Sequence, residues 1–239
     1  MNLFYTPNIT QPTTTLPEEE SKHIIRVLRK QKGDIVSFTD GQGYMYSCVI
    51  IDSNPKRCQI EILEKNAGDD KRDYRLHIAI APTKNINRFE WFLEKSTEIG
   101  IDLITPLICY NSERRDIKPE RQNKVITSAM KQSLKSFHPV LNNSSSFKDI
   151  INTPFDGEKF IAYIDNEVTL ELGKAYSPGN NTLILIGPEG DFSRQEVDEA
   201  IKNGFVPVRL GKARLRTETA GIAACHTISL LNILGSSNS

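Results

Sequence analysis

The chain has 239 residues with 30 basic and 30 acidic side chains, so its formal net charge is zero. This length can bury enough surface for one large domain, or for a small and a medium one, without disulfides or metal. A balanced charge gives no argument for a polyanionic partner of the whole chain. The four cysteines show no C-x-x-C spacing and the four histidines are scattered, so we expect neither a disulfide framework nor a metal site.

We expect no export signal in the amino-terminal residues. They lack the basic segment and apolar core of a leader, and no run of about 18 apolar residues occurs in the chain. We therefore expect a soluble, cytoplasmic protein without a membrane partner.

Residues 1–70 have the pattern of a small β domain. Strand-like segments cover Asp34–Thr39, Tyr44–Ile51 and Cys58–Leu63. Before them, Pro17–Arg29 has acidic residues in its first turn and apolar residues at helical spacing, which predicts one helix.

From about residue 74 strands alternate with helices, which predicts an α/β domain over residues 74–235 with a mostly parallel sheet. The predicted strands are Leu76–Ala81, Ile101–Ile108, Phe160–Ile164, Leu183–Ile186 and Phe205–Leu210. Four helices are predicted in this domain. The first begins at an Asn87 cap, the second extends from Pro119 to near Phe137, the third begins at a capping box of Ser193, and the fourth covers Thr217–Leu234.

Basic residues concentrate in segments despite the zero net charge. Lys22–Lys32 has five cations and Arg209–Arg216 has four, and neither contains an acid. Such segments are often solvated helix faces, but together with the basic Arg114–Lys135 they favour a phosphate-bearing partner. Arg26 and Arg29 are three residues apart and are predicted to share a helix face that contacts phosphates.

Two loops near the end of the chain have the form of a small-molecule site. Residues 185–193 read Leu-Ile-Gly-Pro-Glu-Gly-Asp-Phe-Ser, and residues 210–220 read Leu-Gly-Lys-Ala-Arg-Leu-Arg-Thr-Glu-Thr-Ala. Each links a strand to a helix, and ligands of open α/β sheets bind at the carboxyl ends of strands. Gly187, Gly190 and Gly211 are predicted to permit turns or the close approach of a ligand.

Three common motifs are absent from the sequence. Gly211-Lys212 resembles the end of a P-loop, but Val206 stands where the first glycine belongs and Ala213 where a Ser or Thr belongs. No segment has the G-x-G-x-x-G of a dinucleotide fold or the G-x-S-x-G of a hydrolase. The sequence therefore predicts neither a P-loop protein, nor an NAD-dependent enzyme, nor a serine hydrolase.

The GPEG-x-F-S loop followed by LG-x-x-x-LRTETA resembles the RsmE-type ribosomal RNA uridine-N3 methyltransferases of the SPOUT class. Residues 22–29 resemble the basic amino-terminal helix of that family, and residues 91–100 resemble the first helix of its α/β domain. Three positions depart from the family pattern. Asp191 replaces the second glycine of GPEGG, residues 84–88 replace Lys-Gly-Asp-Arg, and Lys135 replaces an arginine.

The resemblance implies a PUA-like β-barrel for RNA docking over residues 1–70 and a SPOUT α/β domain with a deep trefoil knot over residues 74–235. It implies S-adenosylmethionine as cofactor, no metal, and a homodimer. It also implies methylation of N3 of one uridine in 16S ribosomal RNA, within an assembled 30S subunit.

The resemblance also assigns site residues in the two loops. Those for the cofactor are Leu185, Ile186, Gly187, Pro188, Glu189, Gly190, Leu210, Gly211, Leu215, Thr217, Thr219 and Ala220. Glu189 could instead bind loop amides, and Thr217 and Thr219 could cap the last helix. Catalysis is assigned to Arg216, which would stabilise a uridine anion, and to Glu218 as general base.

Simpler roles stay open for both catalytic candidates. Arg216 could form a surface salt bridge, and Glu218 could merely complement the helix dipole.

The residues expected to contact RNA are His23, Arg26, Arg29, Lys30, Lys84, Arg88 and Lys135. Trp91 and Phe92 are predicted to lie in the core rather than to stack on a base.

Two other functions are compatible with the sequence. The chain could be a ribosome assembly factor that kept the fold without catalysis, although the intact LRTETA motif argues against this. It could also be a SPOUT methyltransferase that modifies transfer RNA or a ribose 2′-oxygen. Binding of S-adenosylmethionine tests the first alternative, and analysis of the methylated nucleoside tests the second.

Overall fold

The structure is a computed structural model that describes residues 2–7, 9, 12–165 and 167–236. The chain divides into two compact units, Met1–Lys71 with Thr127–His138, and Arg72–Ile126 with Pro139–Ser239. The sequence places residues 127–138 in the second domain, whereas in the structure they group with the first unit.

The first unit is built on a five-stranded sheet. Its strands are β1 (Leu3–Tyr5), β2 (Thr13–Thr15), β3 (Ile35–Thr39), β4 (Tyr44–Asp52) and β5 (Gln59–Ala67). Their order is β1-β3-β4-β5-β2, and every pair except β1 with β3 is antiparallel. Side chains such as Phe38 and Ile60 are fully buried in one hydrophobic core. The small β domain is confirmed, whereas β1 and β2 were too short to be predicted.

The helix predicted over Pro17–Arg29 is shorter and partly π-helical. α1 covers Glu18–Lys22, and a π-helical turn covers His23–Val27. Arg29 follows with a φ of 57°, in the left-handed region. The expectation that Arg26 and Arg29 share a helix face is therefore wrong, because the chain leaves the helix before Arg29.

Residues 127–138 join the first unit through hydrogen bonds. The carbonyl of Ser136 accepts from Thr39 Oγ1 at 3.1 Å and from Gly43 N at 3.0 Å. Lys131 Nζ also lies 2.7 Å from Glu20 Oε1. These contacts hold the end of α3 (Pro119–Gln132) and the residues that follow it against the rest of the first unit.

α3 ends at Gln132 rather than near Phe137. Leu134 adopts a φ of 56°, and Lys135 N then donates back to Met130 O at 3.1 Å. A left-handed residue with such a backward bond is a common way to end a helix. Lys135 thus lies just beyond the helix.

The second unit contains a seven-stranded sheet. Its strands are β6 (Leu76–Ile80), β7 (Leu103–Ile108), β8 (Val140–Leu141), β9 (Ser145–Ser146), β10 (Glu158–Ala162), β11 (Thr182–Ile186) and β12 (Val206–Val208). Their order is β12-β10-β11-β6-β7-β8, with β9 also paired to β7, and every pair is parallel. The predicted α/β class is confirmed, and the knot stays a prediction.

Helices cover both faces of this sheet. Besides α3 they are α2 (Ile86–Ile99), α4 (Phe147–Asn152), α5 (Leu172–Ala175), α6 (Arg194–Lys202) and α7 (Thr217–Ser236). The capping box of Ser193 and Glu196 is confirmed. The cap of α2 is Asn85 rather than Asn87, since the Asn85 side chain accepts from Asn87 N. No helix within the described ranges is long and apolar enough to cross a membrane.

The strands of the second unit alternate their side chains between two cores. Residues such as Ile78 and Ile80 pack with α2 and α7, whereas Leu185 packs with α4 and α6 on the other face. Phe92 is fully buried in the first core, as predicted. Trp91 is 43% exposed, so its predicted core position is wrong. Neighbouring helix residues point about 100° apart, which explains the difference.

α7 lies very close to α2 and β6 at Gly221. A Cβ atom there would lie 2.7 Å from Phe92 Cδ2 and 2.8 Å from Ile80 Cδ1. Cβ atoms essentially never approach other atoms so closely. Only glycine fits this seam without displacing its neighbours.

His77 is a half-buried titratable group on β6. Its Nε2 lies 2.7 Å from Thr105 Oγ1, and Asn142 Nδ2 donates to the same hydroxyl at 2.8 Å. Burial lowers the pKa of His77 to about 4, because the charged imidazolium is poorly solvated there. An unfolded chain has a histidine pKa of about 6.5.

Acid should destabilise the protein through His77. Below pH of about 6.5 the unfolded chain takes up a proton that the folded chain does not, so this part of the stability is lost as the pH falls towards the folded pKa of about 4. Denaturant unfolding of wild type and His77→Gln across this range measures the effect. We expect the unfolding free energy of the variant to fall less steeply with decreasing pH, with a slope that corresponds to up to one proton fewer taken up on unfolding. Equal slopes would contradict the assignment to His77.

Candidate functional site

A cavity of about 790 Å³ lies at the carboxyl ends of β10, β11 and β12. Residues from three loops line it, within 163–168, 187–191 and 209–216, together with the first turn of α7. These strands are neighbours in the sheet, so their loops meet at one edge. The sequence predicts a ligand site at this same edge, where the carboxyl ends of the strands lie.

Most residues assigned to the cofactor line this cavity. They are Ile186, Gly187, Pro188, Glu189, Leu210, Gly211, Leu215, Thr217 and Ala220, and Arg216 lines it as well. Leu185, Gly190 and Thr219 are not lining residues. The side chain of Leu185 is buried in the core on the other face of β11, because strand residues alternate. The cofactor roles stay predictions.

The three loop glycines differ in what they permit. Gly211 has a φ of 121°, and a Cβ there would meet nothing within 4 Å. Gly187 and Gly190 lack a positive φ, and a Cβ on either would lie 3.1 Å from its nearest neighbour, Phe192 or Asn111 respectively. Gly211 therefore permits a turn, whereas the other two permit close packing.

Asp191 is the left-handed residue of the 187–191 loop, with a φ of 59°. Glycine would adopt this conformation at no steric cost. Aspartate tolerates it because the short side chain can bond locally, and Asp191 Oδ1 accepts from Phe192 N at 2.8 Å. Burial raises the pKa of Asp191, and the hydrogen bond from Phe192 N is the largest effect that opposes this shift.

Hydrogen bonds hold the loops in place. Glu189 Oε1 accepts from Lys84 N at 2.9 Å, so this carboxylate does bind a loop amide. Asn111 Nδ2 donates to the carbonyls of Gly190 and Asp191 at 3.2 and 3.0 Å. Arg209 N donates to Leu170 O at 2.9 Å. The loops are therefore fixed by their neighbours before any ligand binds.

Glu218, in the first turn of α7, is a buried carboxylate with incomplete bonding. It is 6% exposed, and its Oε1 lies 3.9 Å from Arg88 Nε. Its Oε2 is buried and has no hydrogen-bond partner in the described part of the chain. A buried acceptor without a donor costs about 1–3 kcal/mol, so its retention points to a use. Arg88, assigned to RNA, faces this carboxylate.

Arg216 has a different environment. Its side chain is exposed at the cavity. Among residues 2–7, 9, 12–165 and 167–236 the guanidinium has no hydrogen bond or ion pair, so the expected alternative of a surface salt bridge is not realised there. This cation is free to meet a ligand.

The sequence analysis did not assign the loop after β10 to the site. Tyr163, Ile164, Asp165 and Val168 all line the cavity. A strand was predicted at Phe160–Ile164, and a carboxylate directly after it was the available signal. Nothing in the sequence shows that β10 lies between β11 and β12, so the signal could not be used.

The residues expected to contact RNA are distributed over both units. In the first, His23, Arg26 and Arg29 are exposed, and Lys30 and Lys135 are half-buried. In the second, Lys84 is exposed and its Nζ lies 2.8 Å from Glu113 Oε2. Contact with RNA stays a prediction for all of them.

Two family models match the chain. The model of the RNA methyltransferase domain covers residues 70–229, and that of the RNA methyltransferase PUA domain covers residues 16–63. The first spans more than half of the chain. The chain therefore belongs to this family of RNA methyltransferases.

Individual relatives narrow the resemblance. The chain is similar to a probable rRNA-methyltransferase of Porphyromonas gingivalis, with 43% identity, a TM-score of 0.92, and coverage of 98% of this chain and 100% of that one. It is similar to the ribosomal RNA small subunit methyltransferase E of Neisseria gonorrhoeae, solved with S-adenosyl methionine, with 27% identity, a TM-score of 0.85, and coverage of 97% and 98%. The Bacillus subtilis protein of the same name is 26% identical over 231 residues, which are 91% of this chain and 90% of that protein. The family resemblance of the motifs is confirmed.

The conformation of Asp191 can be tested by a matched pair of variants. Asp191→Ala and Asp191→Gly both lose the bond to Phe192 N, but only alanine is strained at a φ of 59°. We expect the alanine variant to be less stable by about 1 kcal/mol, since the left-handed region costs a residue with a Cβ about 1–2 kcal/mol. Denaturant midpoints measure the difference. Equal midpoints would contradict the strain argument.

Proposed function

We propose that this protein transfers a methyl group from S-adenosylmethionine to N3 of a uridine in 16S ribosomal RNA, within the assembled 30S subunit. The observation that carries the proposal is the cavity at the carboxyl ends of β10, β11 and β12, which the exposed Arg216 and the first turn of α7 line. Glu218, in the same turn, is buried and is not itself a lining residue. The relatives named ribosomal RNA small subunit methyltransferase E support the choice of RNA.

The residues of the cavity fit S-adenosylmethionine. Its volume of about 790 Å³ lies within the ordinary range of ligand sites. Ile186 and Leu210 offer apolar surface for an adenine ring, Asp165 offers acceptors for ribose hydroxyls, and Lys212 offers a cation for a carboxylate. The Neisseria gonorrhoeae relative was solved with this compound bound. When bound, the cofactor supplies a methyl group on a positively charged sulfur.

Methyl transfer to N3 requires loss of the N3 proton. Glu218 Oε2 is a buried acceptor without a donor, so it can take that proton as the N3–H bond breaks. Arg216 can stabilise the negative charge that spreads onto the uracil oxygens. The N3 electron pair then forms the bond to the methyl carbon as the bond from carbon to sulfur breaks.

Arg88 would act through Glu218. Its Nε is 3.9 Å from Glu218 Oε1, so it offsets the charge of the buried carboxylate before the proton arrives. The loops of the cavity would align N3 with the methyl carbon at about 3–3.5 Å. Hydrogen bonds of Glu189 and Asn111 hold these loops in position.

The remaining parts of the proposal concern partners and location. The first unit would dock the RNA through His23, Arg26, Arg29, Lys30 and Lys135, and Lys84 would contact RNA from the second. A homodimer is supported by the exposed Leu230 and Leu234 on α7, which are 41% and 54% accessible. The protein would act in the cytoplasm, where ribosomes assemble.

The reaction is tested by methyl incorporation from labelled S-adenosylmethionine. The acceptors are small ribosomal subunits and, separately, naked 16S RNA, both from cells that lack this protein. We expect N3-methyluridine in the subunits after digestion to nucleosides. A labelled ribose would move the activity to a 2′-oxygen, and no incorporation with intact cofactor binding would favour a binding protein without catalysis.

The catalytic roles are tested by three variants. Arg216→Ala should lower kcat by about 100- to 1,000-fold, since it removes stabilisation of the anion. Glu218→Gln should lower kcat by about 100-fold or more, since the amide cannot take a proton. Arg26→Ala is the control and should weaken RNA binding with kcat nearly unchanged. Near-normal turnover of Arg216→Ala would refute its role, and a Glu218→Gln variant that loses only stability would leave that carboxylate with the structural role.

A further inference from the structure

A second cavity, of about 510 Å³, lies beside the carboxyl ends of β6 and β7. Its lining residues are Lys84 and Ile86 after β6, residues 113–118 after β7, and Arg121 and Gln122 of α3. It shares no lining residue with the first cavity. The two are nevertheless adjacent, because Lys84, which lines the second, donates its amide to Glu189, which lines the first.

The second cavity is rich in cations, most of which are already engaged. Lys84 pairs with Glu113 at 2.8 Å, and Arg121 pairs with Glu90 at 2.6 Å. Arg114 donates to the carbonyls of Thr83 and Lys84 at 3.0 and 2.9 Å. Carboxylates thus offset the charges of Lys84 and Arg121, whereas Arg114 is held against the cavity wall by backbone carbonyls.

Two cations of the same cavity are open to a ligand. Arg115 is exposed, and its one hydrogen bond in the described ranges goes to Tyr110 O at 3.2 Å. Lys118 is exposed, and its ammonium has no partner in those ranges. Asp116 is the acid between them and sits in the same exposed segment. Two cations against one acid favour an anion at this position.

Gln122 adds a requirement that a simple anion does not meet. It is 1% exposed, and its Nε2 donates to Glu90 Oε1 at 3.2 Å. Its carbonyl oxygen Oε1 is buried and has no hydrogen-bond partner in the described part of the chain. An amide oxygen needs an N–H or O–H donor, which a phosphodiester lacks and which a ribose 2′-hydroxyl or a base provides.

We propose that the second cavity binds a nucleotide of the substrate RNA that flanks the target uridine. Its phosphate is held by Arg115 and Lys118, and its sugar or base donates to Gln122. This inference rests on the proposed function, because it takes RNA as the ligand of the neighbouring site. A strand whose target base enters the first cavity passes over the adjacent one, and phosphate contacts of this kind fix its register.

The test compares RNA binding by variants that leave the first cavity intact. The protein is titrated with small ribosomal subunits from cells that lack it, at several salt concentrations. Arg115→Ala/Lys118→Ala should bind about tenfold or more weakly, and the slope of log affinity against log salt should decrease in magnitude by about 1, since the two side chains hold one phosphate and each neutralised phosphate contributes about 1. Gln122→Met should weaken binding without changing the slope, because it removes an uncharged contact.

Two controls separate this inference from the proposed function. Lys202→Ala removes an exposed lysine at the end of α6, near the amino ends of the strands, and should bind subunits like wild type. S-adenosylmethionine affinity, measured by calorimetry, should be unchanged in every variant. Wild-type affinity and slope in the double variant would overturn the second site while methyl transfer stands. Absence of methyl transfer by wild type would instead overturn the proposed function, even where Arg115 and Lys118 govern RNA binding.

Discussion

The parallel pairing of β6, β10, β11 and β12 determines where the residues of the first cavity lie. Ile186, the last residue of β11, pairs with both Ala162 and Ile80, and Ala162 pairs with Val208. The four strands therefore end at the same level. Because parallel strands must return through crossovers, all of their exit loops emerge at one edge. One antiparallel strand in this set would have sent its loop to the opposite edge and left the cavity open on that side.

The packing of α7 explains how the Glu218 carboxylate can stay buried without a full set of hydrogen bonds. A buried carboxylate is expensive unless it is paired and fully hydrogen-bonded, and here a single arginine lies 3.9 Å away. The cost is offset by the packing of α7 on α2 and β6, since Ala224, Cys225 and Ile228 of that helix are fully buried. The stability of the core thus permits an unsatisfied acceptor to persist at the start of the same helix.

The site was predictable where its chemistry follows directly on a strand. Glycine and proline mark the 187–191 and 209–216 loops, and apolar runs mark the strands before them, so most residues that the sequence assigned to the cofactor line the first cavity. The loop after β10 was missed because strand order depends on packing between distant segments. β8 and β9 have two residues each, too few to show a period. Arg29 and Trp91 were misplaced for a related reason, since a small error in where a helix ends or turns moves a side chain to another face.

The close contact at Gly221 has a consequence for the order in which the molecule forms. The groove that receives α7 is made by Phe92 and Ile80, both of which precede that helix by more than a hundred residues. During synthesis these apolar groups are on the growing chain long before their partner leaves the ribosome. The nascent second unit therefore exposes a hydrophobic seam until α7 emerges and packs against it. The first cavity, which Thr217 and Ala220 of that helix help to line, therefore forms only after α7 has been synthesised.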